Sequence, residues 1–489
     1  MGVRLAVVAA LAVLVLAGGA AADASWTATV NDTDVTVTYE GSGTSGSPYL
    51  ISNVTELQAV GHNATTLQYH YALANNIDAS GTASWNNGAG FEPLGGNGQN
   101  YFGDNPGLNS FEGNNFGVNN ITINSEATDD HIGLFREIKF TTIQNLTIRD
   151  INISVTGDDY PDVGGLVGTV GSLDTLITNV HVSGTITLDP SVDSRSNVGG
   201  IAGRMKSDEL RKSSFDGQLS GEATIGGLFG RSDSPLTINQ SKFSGSVEGN
   251  NVAGMVADLN DPLVILDSYA IFEQIDSTSF HPIAREKSSY SLTVNNSYII
   301  INSVGSVTAY DKAFNGGDNV FMLNNSNYDA AYNITALSSN DFSGIAAVDA
   351  MAFDWGDTWR VTESFPELVA FSDGTEPAAV IIDAQTFTTD PSTPDAGVTV
   401  TVEVPINNAG GKEGSDDIRL LKSDGTQLDA QTVTVPVNTP ETISLDWSSA
   451  PTDFGENTLT VANSAQTRSV DVTLNRVNIP PGRGSGGRG

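Results

Sequence analysis

The chain has 489 residues, with 57 acids against 22 bases for a formal net charge of −35, and no cysteine. The acids are scattered and no basic patch offsets them, which argues against a nucleic-acid partner, since nothing would displace counterions from phosphate. Without cysteine there are no disulfide staples. So acidic a surface repels itself unless concentrated salt screens it, so the expectation is an exported protein from a strongly saline habitat, a halophilic archaeon, with a merely acidic extracellular protein as the alternative.

Residues 1–24 read as a secretory signal: Arg4 supplies the positive end, Leu5 to Leu16 the apolar run, and Ala20-Ala21-Ala22 or Ala22-Asp23-Ala24 a small-x-small cleavage site. No second long apolar stretch occurs, so the expectation is a chain that does not span a membrane once the signal is removed. Residues 25–42 alternate polar and apolar (Trp26, Ala28, Val30, then Val35, Val37, Tyr39) and are read as a hairpin and linker. Asn53-Val54-Thr55-Glu56 has the form of a helix start, with Asn at the N-cap and an acid at N3, and Gly61 stops it. This short helix is expected to plug the first coil of a repeat region. Tyr69 to Ile77 reads as a strand, and Gly88 to Gly113 as a loop-rich approach.

A glycine motif then recurs: Val163-Gly164-Gly165-Leu166-Val167-Gly168, Val198-Gly199-Gly200-Ile201-Ala202-Gly203, Ile225-Gly226-Gly227-Leu228-Phe229-Gly230 and the degenerate Val252-Ala253-Gly254-Met255-Val256-Ala257. Ile132-Gly133-Leu134-Phe135 is a partial earlier copy. Aligned on the glycine before the Leu, Ile or Met, the copies lie at 133, 165, 200, 227 and 254, at intervals of 32, 35, 27 and 27. A second motif runs in phase: Val182-Ser183-Gly184, Phe215-Asp216-Gly217 and Phe243-Ser244-Gly245. One such unit is too small to bury its own apolar face, so units of this length must stack. The apolar alternation has period two, which specifies strands. The expected fold is therefore all-β: a right-handed parallel β-helix whose repeat core is Gly133, Leu134, Gly165, Leu166, Gly200, Ile201, Gly227, Leu228, Gly254 and Met255. Fainter coils are expected at Tyr298 to Ile301 and Val320 to Leu323, and Trp355 and Trp359, expected at the solenoid's end, read as a hydrophobic lid, with a sugar-binding pair as the alternative.

The β-helix is expected over residues 43–370 and a linker over 371–377. Residues 378–475 show short strands at sandwich spacing: Val380–Ile382, Val398–Val404, Ile418–Leu421, Thr432–Val435, Thr442–Trp447, Thr458–Ala462 and Val470–Leu474. They read as an immunoglobulin-like β-sandwich. Residues 476–489 are a polar, glycine-rich tail. Candidate N-glycosylation sites precede x-Ser/Thr at Asn31, Asn53, Asn63, Asn120, Asn145, Asn152, Asn239, Asn295, Asn324 and Asn333.

The repeats resemble those of the GLUG-motif family of bacterial and archaeal surface proteins, named for a Gly-Leu-any-Gly core. Gly46-Ser47-Pro48-Tyr49-Leu50-Ile51, Phe91-Glu92-Pro93-Leu94-Gly95, Phe111-Glu112-Gly113-Asn114 and the Trp359 to Leu368 stretch are similar to that family's other elements. Met255 and Ala257 depart from the pattern. The resemblance implies a β-solenoid on a secreted or surface-attached protein. The carboxy-terminal part resembles the Ig-like, adhesion-related domain called CARDB, with Asn408-Ala409-Gly410 at its usual Asn-x-Gly turn.

Sequence patterns of catalysis are sparse. The histidines His62, His70, His131, His181 and His281 are isolated, and neither His-Glu-x-x-His nor Gly-x-Ser-x-Gly occurs. Gly316-Gly317-Asp318 occurs once, where calcium-binding repeats would show it in series. Asp129-Asp130, Asp158-Asp159 and Asp208-Glu209 with Arg211 are the pieces from which a polysaccharide lyase or glycoside hydrolase could be built. The expectation is nevertheless a non-enzymatic, adhesin-like protein with no catalytic residue, metal or cofactor, whose partner is an extracellular glycan or protein. A β-helix enzyme is the first alternative and a structural envelope glycoprotein the second.

Overall fold

A computed structural model describes residues 24–95, 102, 109–128, 130–207, 209–286, 291–295, 297–301, 304–310, 320–323, 359–360, 362, 366–368, 378–382 and 387–476. Residues 1–23 of the expected signal, the expected linker, the tail beyond Arg476, Trp355 and Gly316 to Asp318 therefore lie outside the described residues, as do Asn324, Asn333, Asp129 and Asp208, whereas Ala24, the last residue of the expected signal, lies in a strand.

The described chain is all-β, a parallel β-solenoid followed by an antiparallel sandwich. Six short strands, Phe135–Ile138, Val167–Val170, Ala202–Met205, Phe229–Ser232, Val256–Leu259 and Ala284–Glu286, pair in parallel in that order, one from each of six coils. A much larger sheet makes the other walls: Thr142–Thr156 pairs in parallel with Leu176–Leu188, which pairs with Ser214–Ser220, then Lys242–Ala253, then Tyr269–His281. The alternation read in the sequence becomes columns. Ile132, Val163, Val198, Ile225, Val252 and Phe280 stack in register, and Ile143, Ile177, Leu210, Ile238, Ile265 and Val294 form another. Leu134, Leu166, Ile201, Leu228 and Met255 are all buried in this core. Their backbones join coil to coil: Leu166 N–H donates to Ile201, Ile201 to Leu228, Leu228 to Met255 and Met255 to Ile283. The degenerate copy thus keeps register. It is also followed by a sixth corner, His281-Pro282-Ile283, which carries no glycine signature because Pro282 stands where Gly254 stood.

Two polar ladders complement the apolar columns. Ser213, Ser241, Ser268 and Ser297 are buried. The Ser241, Ser268 and Ser297 hydroxyls accept from the backbone N–H of the serine one coil earlier and the Ser213 hydroxyl from Val180 N–H, while each donates to the carbonyl two residues before it. At the neighbouring corner Asn145, Asn179, Lys212, Gln240 and Asp267 each adopt a left-handed backbone, with φ of 53, 56, 47, 50 and 47°. In the second motif Gly184, Gly217 and Gly245 are register partners, and a Cβ on any of them would overlap the backbone of the coil before.

At the amino-terminal end Ala24–Val30 and Thr33–Tyr39 form an antiparallel hairpin. The Val54–Ala59 helix is capped by Asn53, whose side chain accepts from Glu56 N–H at 3.0 Å, while Glu56 accepts from Ser52 N–H at 2.6 Å. Trp26 stacks on Tyr39 with centroids 4.5 Å apart and donates to Ala59 O at 3.3 Å. This hairpin, the helix and the first coils share one apolar core, so the first coil's open end is covered rather than left as a pairing edge. Farther on, Trp359 is buried against Tyr269, centroids 5.2 Å apart.

The sandwich has a second core. Val380–Ile382, Thr399–Asn408, Thr388–Asp390 and Glu441–Ser448 make one antiparallel sheet, and Gln427–Val435, Gly414–Lys422, Gly455–Ala462 and Thr467–Leu474 the other. Inward residues such as Val400, Val402, Leu420, Leu445, Trp447 and Val461 fill the space between them. The Thr388–Asp390 strand is absent from the sequence reading because its residues are exposed or half-buried and show no apolar face. Asn408 is fully buried, donating to Lys412 O and Val435 O at 2.7 and 2.9 Å and accepting from Ala379 and Gly410 N–H at 3.2 and 3.0 Å.

Candidate functional site

The glycine motif that closes each coil also shapes a cleft. The strand ending in Val-Gly, such as Asp162–Gly164, turns at Gly-Leu into the next, such as Val167–Val170. The closing glycines Gly203 and Gly230 lie where a Cβ would press on the preceding coil's backbone, 2.5 Å from the Asp162 carbonyl carbon and 2.5 Å from Val198 N respectively. With no side chains there, the two walls approach closely, and the residues flanking the motif line a cleft of about 620 Å³.

On one wall His131, Asp162, Asn197, Thr224 and Asn251 stack in register. On the other, Glu137, Thr169, Arg204, Arg231 and Asp258 stack likewise, with Arg285 beyond them. Asp162 sits on the floor, buried, accepting from Thr169 Oγ1 at 3.0 Å and Asn197 Nδ2 at 2.8 Å. His131 Nδ1 stands 3.8 Å from Asp162 and its Nε2 3.8 Å from Glu137, which pairs with Lys139 at 3.0 Å. Burial raises the Asp162 carboxyl above the usual carboxylate range, although Asn197, His131, Thr169 and Arg204 all pull the other way. Asp233 behaves oppositely: burial raises it too, but the hydrogen bonds of Arg231 and Asn260 and the charges of Arg204 and Arg231 carry it below that range.

Four of the chain's 14 arginines, Arg195, Arg204, Arg231 and Arg285, line this one cleft. Arg231 Nε donates to Asp233 Oδ1 at 2.7 Å and Arg204 Nε to Asp233 Oδ2 at 2.5 Å. Arg285 Nε donates to Asp258 at 2.9 Å. At the rim Arg195 pairs with Asp193 at 2.9 Å and lies 4.3 Å above the ring of Tyr160, which is 56% exposed.

The acids singled out in the sequence do not converge. Asp130 lines the cleft. Asp158 is exposed and Asp159 half-buried in the loop before Tyr160, while Glu209 and Arg211 sit on a separate strand outside the cleft. Asp162 and the arginine row are absent from the sequence reading, although Asp162 occupies the slot before Val-Gly-Gly that Asn197, Thr224 and Asn251 fill elsewhere. A second, shallower depression of about 490 Å³ carries Glu222, Glu248 and Asp276. Among the histidines, His181 is buried, 2.7 Å from Ser214 Oγ and 3.5 Å from Asp216, and His70 contacts Ser110 Oγ at 2.9 Å. Among the described residues no group of three or more His, Asp or Glu is placed to hold a metal ion. Of the sequons, Asn31, Asn53, Asn63, Asn120, Asn152 and Asn295 are exposed, and Asn145 and Asn239 are half-buried.

No family model matches the chain. Over 190 residues, 38% of this chain, it is 37% identical to a protein named halomucin from Haloquadratum walsbyi (strain DSM 16790 / HBSQ001), of which the match covers 2%. Over 150 residues, 28% of this chain, it is 27% identical to an immunoglobulin A1 protease of Streptococcus sanguinis, covering 8% of that protein. The chain thus spans only a small part of the curated relatives it matches. Among solved structures, an IgA1 protease aligns at a TM-score of 0.41 and 17% identity, over 63% of this chain and 24% of that one.

Proposed function

We propose that this is a secreted or cell-surface protein of a saline habitat, non-enzymatic and adhesin-like, which presents a rigid β-solenoid to an extracellular glycan or protein. The observation that carries the reading is the cleft itself, two walls to which each successive coil adds a polar or charged side chain on a stiff frame. Contacts repeated along a rigid ladder sum through avidity. The acid-rich composition and the likeness to a halomucin support it. So do the GLUG-like repeats and the CARDB-like turn at Asn408, both of which rest on the motifs alone.

Saturable binding of the purified chain to whole cells or an immobilised glycan panel in molar salt, with no product released, is the expected result. One observation favours an enzyme of the β-helix type, a lyase or glycosidase: a buried carboxyl with a raised pKa at the floor of a cleft is how a catalytic acid is prepared. Polysaccharide turnover abolished by Asp162→Asn would establish that reading and overturn the non-enzymatic one. Ordered self-assembly at high salt without any ligand would instead make the chain an envelope component.

A further inference from the structure

Arg204 and Arg231 are register partners on adjacent parallel strands, about 4.8 Å apart at the backbone. Like charges so placed destabilise a sheet unless they are compensated. Here both guanidiniums converge on a single carboxylate, Asp233, which also accepts from Asn260 Nδ2 at 2.8 Å. With Arg285 the wall holds three guanidiniums, paired with Asp233 and Asp258, in a row that begins at Glu137, while Asp130 and Asp162 also line the cleft. Asp162 reaches Arg204 only through space.

The tethers also set direction. Arg231 is held through Nε alone and Arg204 through Nε and Nη2. Among the described residues no partner takes both Nη atoms of Arg231 or Nη1 of Arg204, and these side chains are 35% and 31% exposed. A guanidinium fixed by one edge and open at another is pre-organised for a planar, bidentate anion.

We propose that the Arg204–Arg231 pair binds the carboxylate of an acidic polysaccharide, a uronate-bearing glycan lying along the cleft. The proposal rests on the adhesin-like reading and deepens it by naming site and ligand class. The opposite wall offers Thr224 and Asn251, neutral hydrogen-bonding groups suited to sugar hydroxyls, and Tyr160 gives an exposed ring at the rim. A peptide fits poorly: the cleft strands of the inner coils are already paired on both edges, so no backbone is open to strand addition. A volume of about 620 Å³ lies in the range of small-ligand sites.

The test is calorimetric titration of the full chain, in molar salt, with galacturonate and alginate oligomers, their methyl-esterified counterparts and a sulfated dextran oligomer. One saturable site is expected for a free uronate, with the ester at least about tenfold weaker because the charge is gone. Arg204→Gln and Arg231→Gln are each expected to weaken binding by about tenfold or more, whereas Arg211→Gln, exposed on another strand, leaves it unchanged. No binding of either uronate, equal affinity for acid and ester, tighter binding of the sulfated oligomer, or indifference to both arginine variants overturns the proposal. Should a variant fold badly, the acid-against-ester comparison on the unaltered chain still decides. A chain that binds cells but neither uronate refutes this assignment and leaves the adhesin-like reading standing; one that binds neither refutes both.

Discussion

Gly217→Ala is expected to break the solenoid locally. The ideal Cβ at Gly217 would fall inside the Gly184 carbonyl oxygen and stand 2.9 Å from its carbonyl carbon and 3.0 Å from its nitrogen. All three are backbone atoms, so no side chain can swing aside. Relief needs a shift on the order of 1 Å, against strands held about 4.8 Å apart by the ladder. The pairs on either side, Ser183 with Asp216 and Thr185 with Gln218, would part with it. Losing two or three ladder hydrogen bonds at about 1 kcal/mol each gives a cost of about 3 kcal/mol, the upper part of the usual range for forcing an extra methyl group into a close-packed interior. Gly46→Ala is the control, because nothing lies within 4 Å of its Cβ position. Urea titrations in molar sodium chloride, followed by far-ultraviolet circular dichroism, read both. A Gly217→Ala chain within about 1 kcal/mol of the parent, which is the size of ordinary surface substitutions, would refute coil-on-coil contact at this glycine column.

Ser241→Ala leaves the buried Ser213 N–H and Asn239 carbonyl without the hydroxyl they share, and a loss of about 1–3 kcal/mol in the same titration is expected. Burial pushes the His181 imidazole from its ordinary 6.5 down to about 4, with Lys242 and Arg149 adding to that and Asp216 opposing. The unfolded chain therefore takes up the proton first, so stability is whole above about pH 6.5 and falls as pH drops toward 4. His181→Gln is expected to flatten that dependence by about 2–3 kcal/mol between pH 7 and 4; an unchanged pH slope would exclude His181 as its source. Glycopeptide mass spectrometry is expected to find glycan at exposed Asn152 but not at Asn145, whose amide donates to Glu112 at 3.0 Å and whose Oδ1 accepts from Asn179 at 2.7 Å. Occupancy at Asn145 would contradict that ladder.

Much of the fold was legible because inward positions must repeat. Ile132, Val163, Val198 and Ile225 are alike since each plugs the same column, and Asn53 with Glu56 declares a helix start locally. The sixth corner is hidden by Pro282, because the signature of the other corners is their glycine, while here only the buried Ile283 behind the proline keeps the pattern. The serine ladder is hidden for another reason: serine is common in turns, and only stacking shows that Ser213, Ser241, Ser268 and Ser297 share a line of hydrogen bonds.

Period and alternation alone determined that the middle of this chain must coil in strands, since no single unit could bury its own aliphatic face. The cleft was decided by the tertiary structure. Its walls come from outward positions, where His131, Asp162, Asn197 and Thr224 succeed one another with no chemical repeat, because nothing in the core constrains them. Arg204 and Arg231 stand 27 residues apart in the chain and become neighbours only when their coils stack in register.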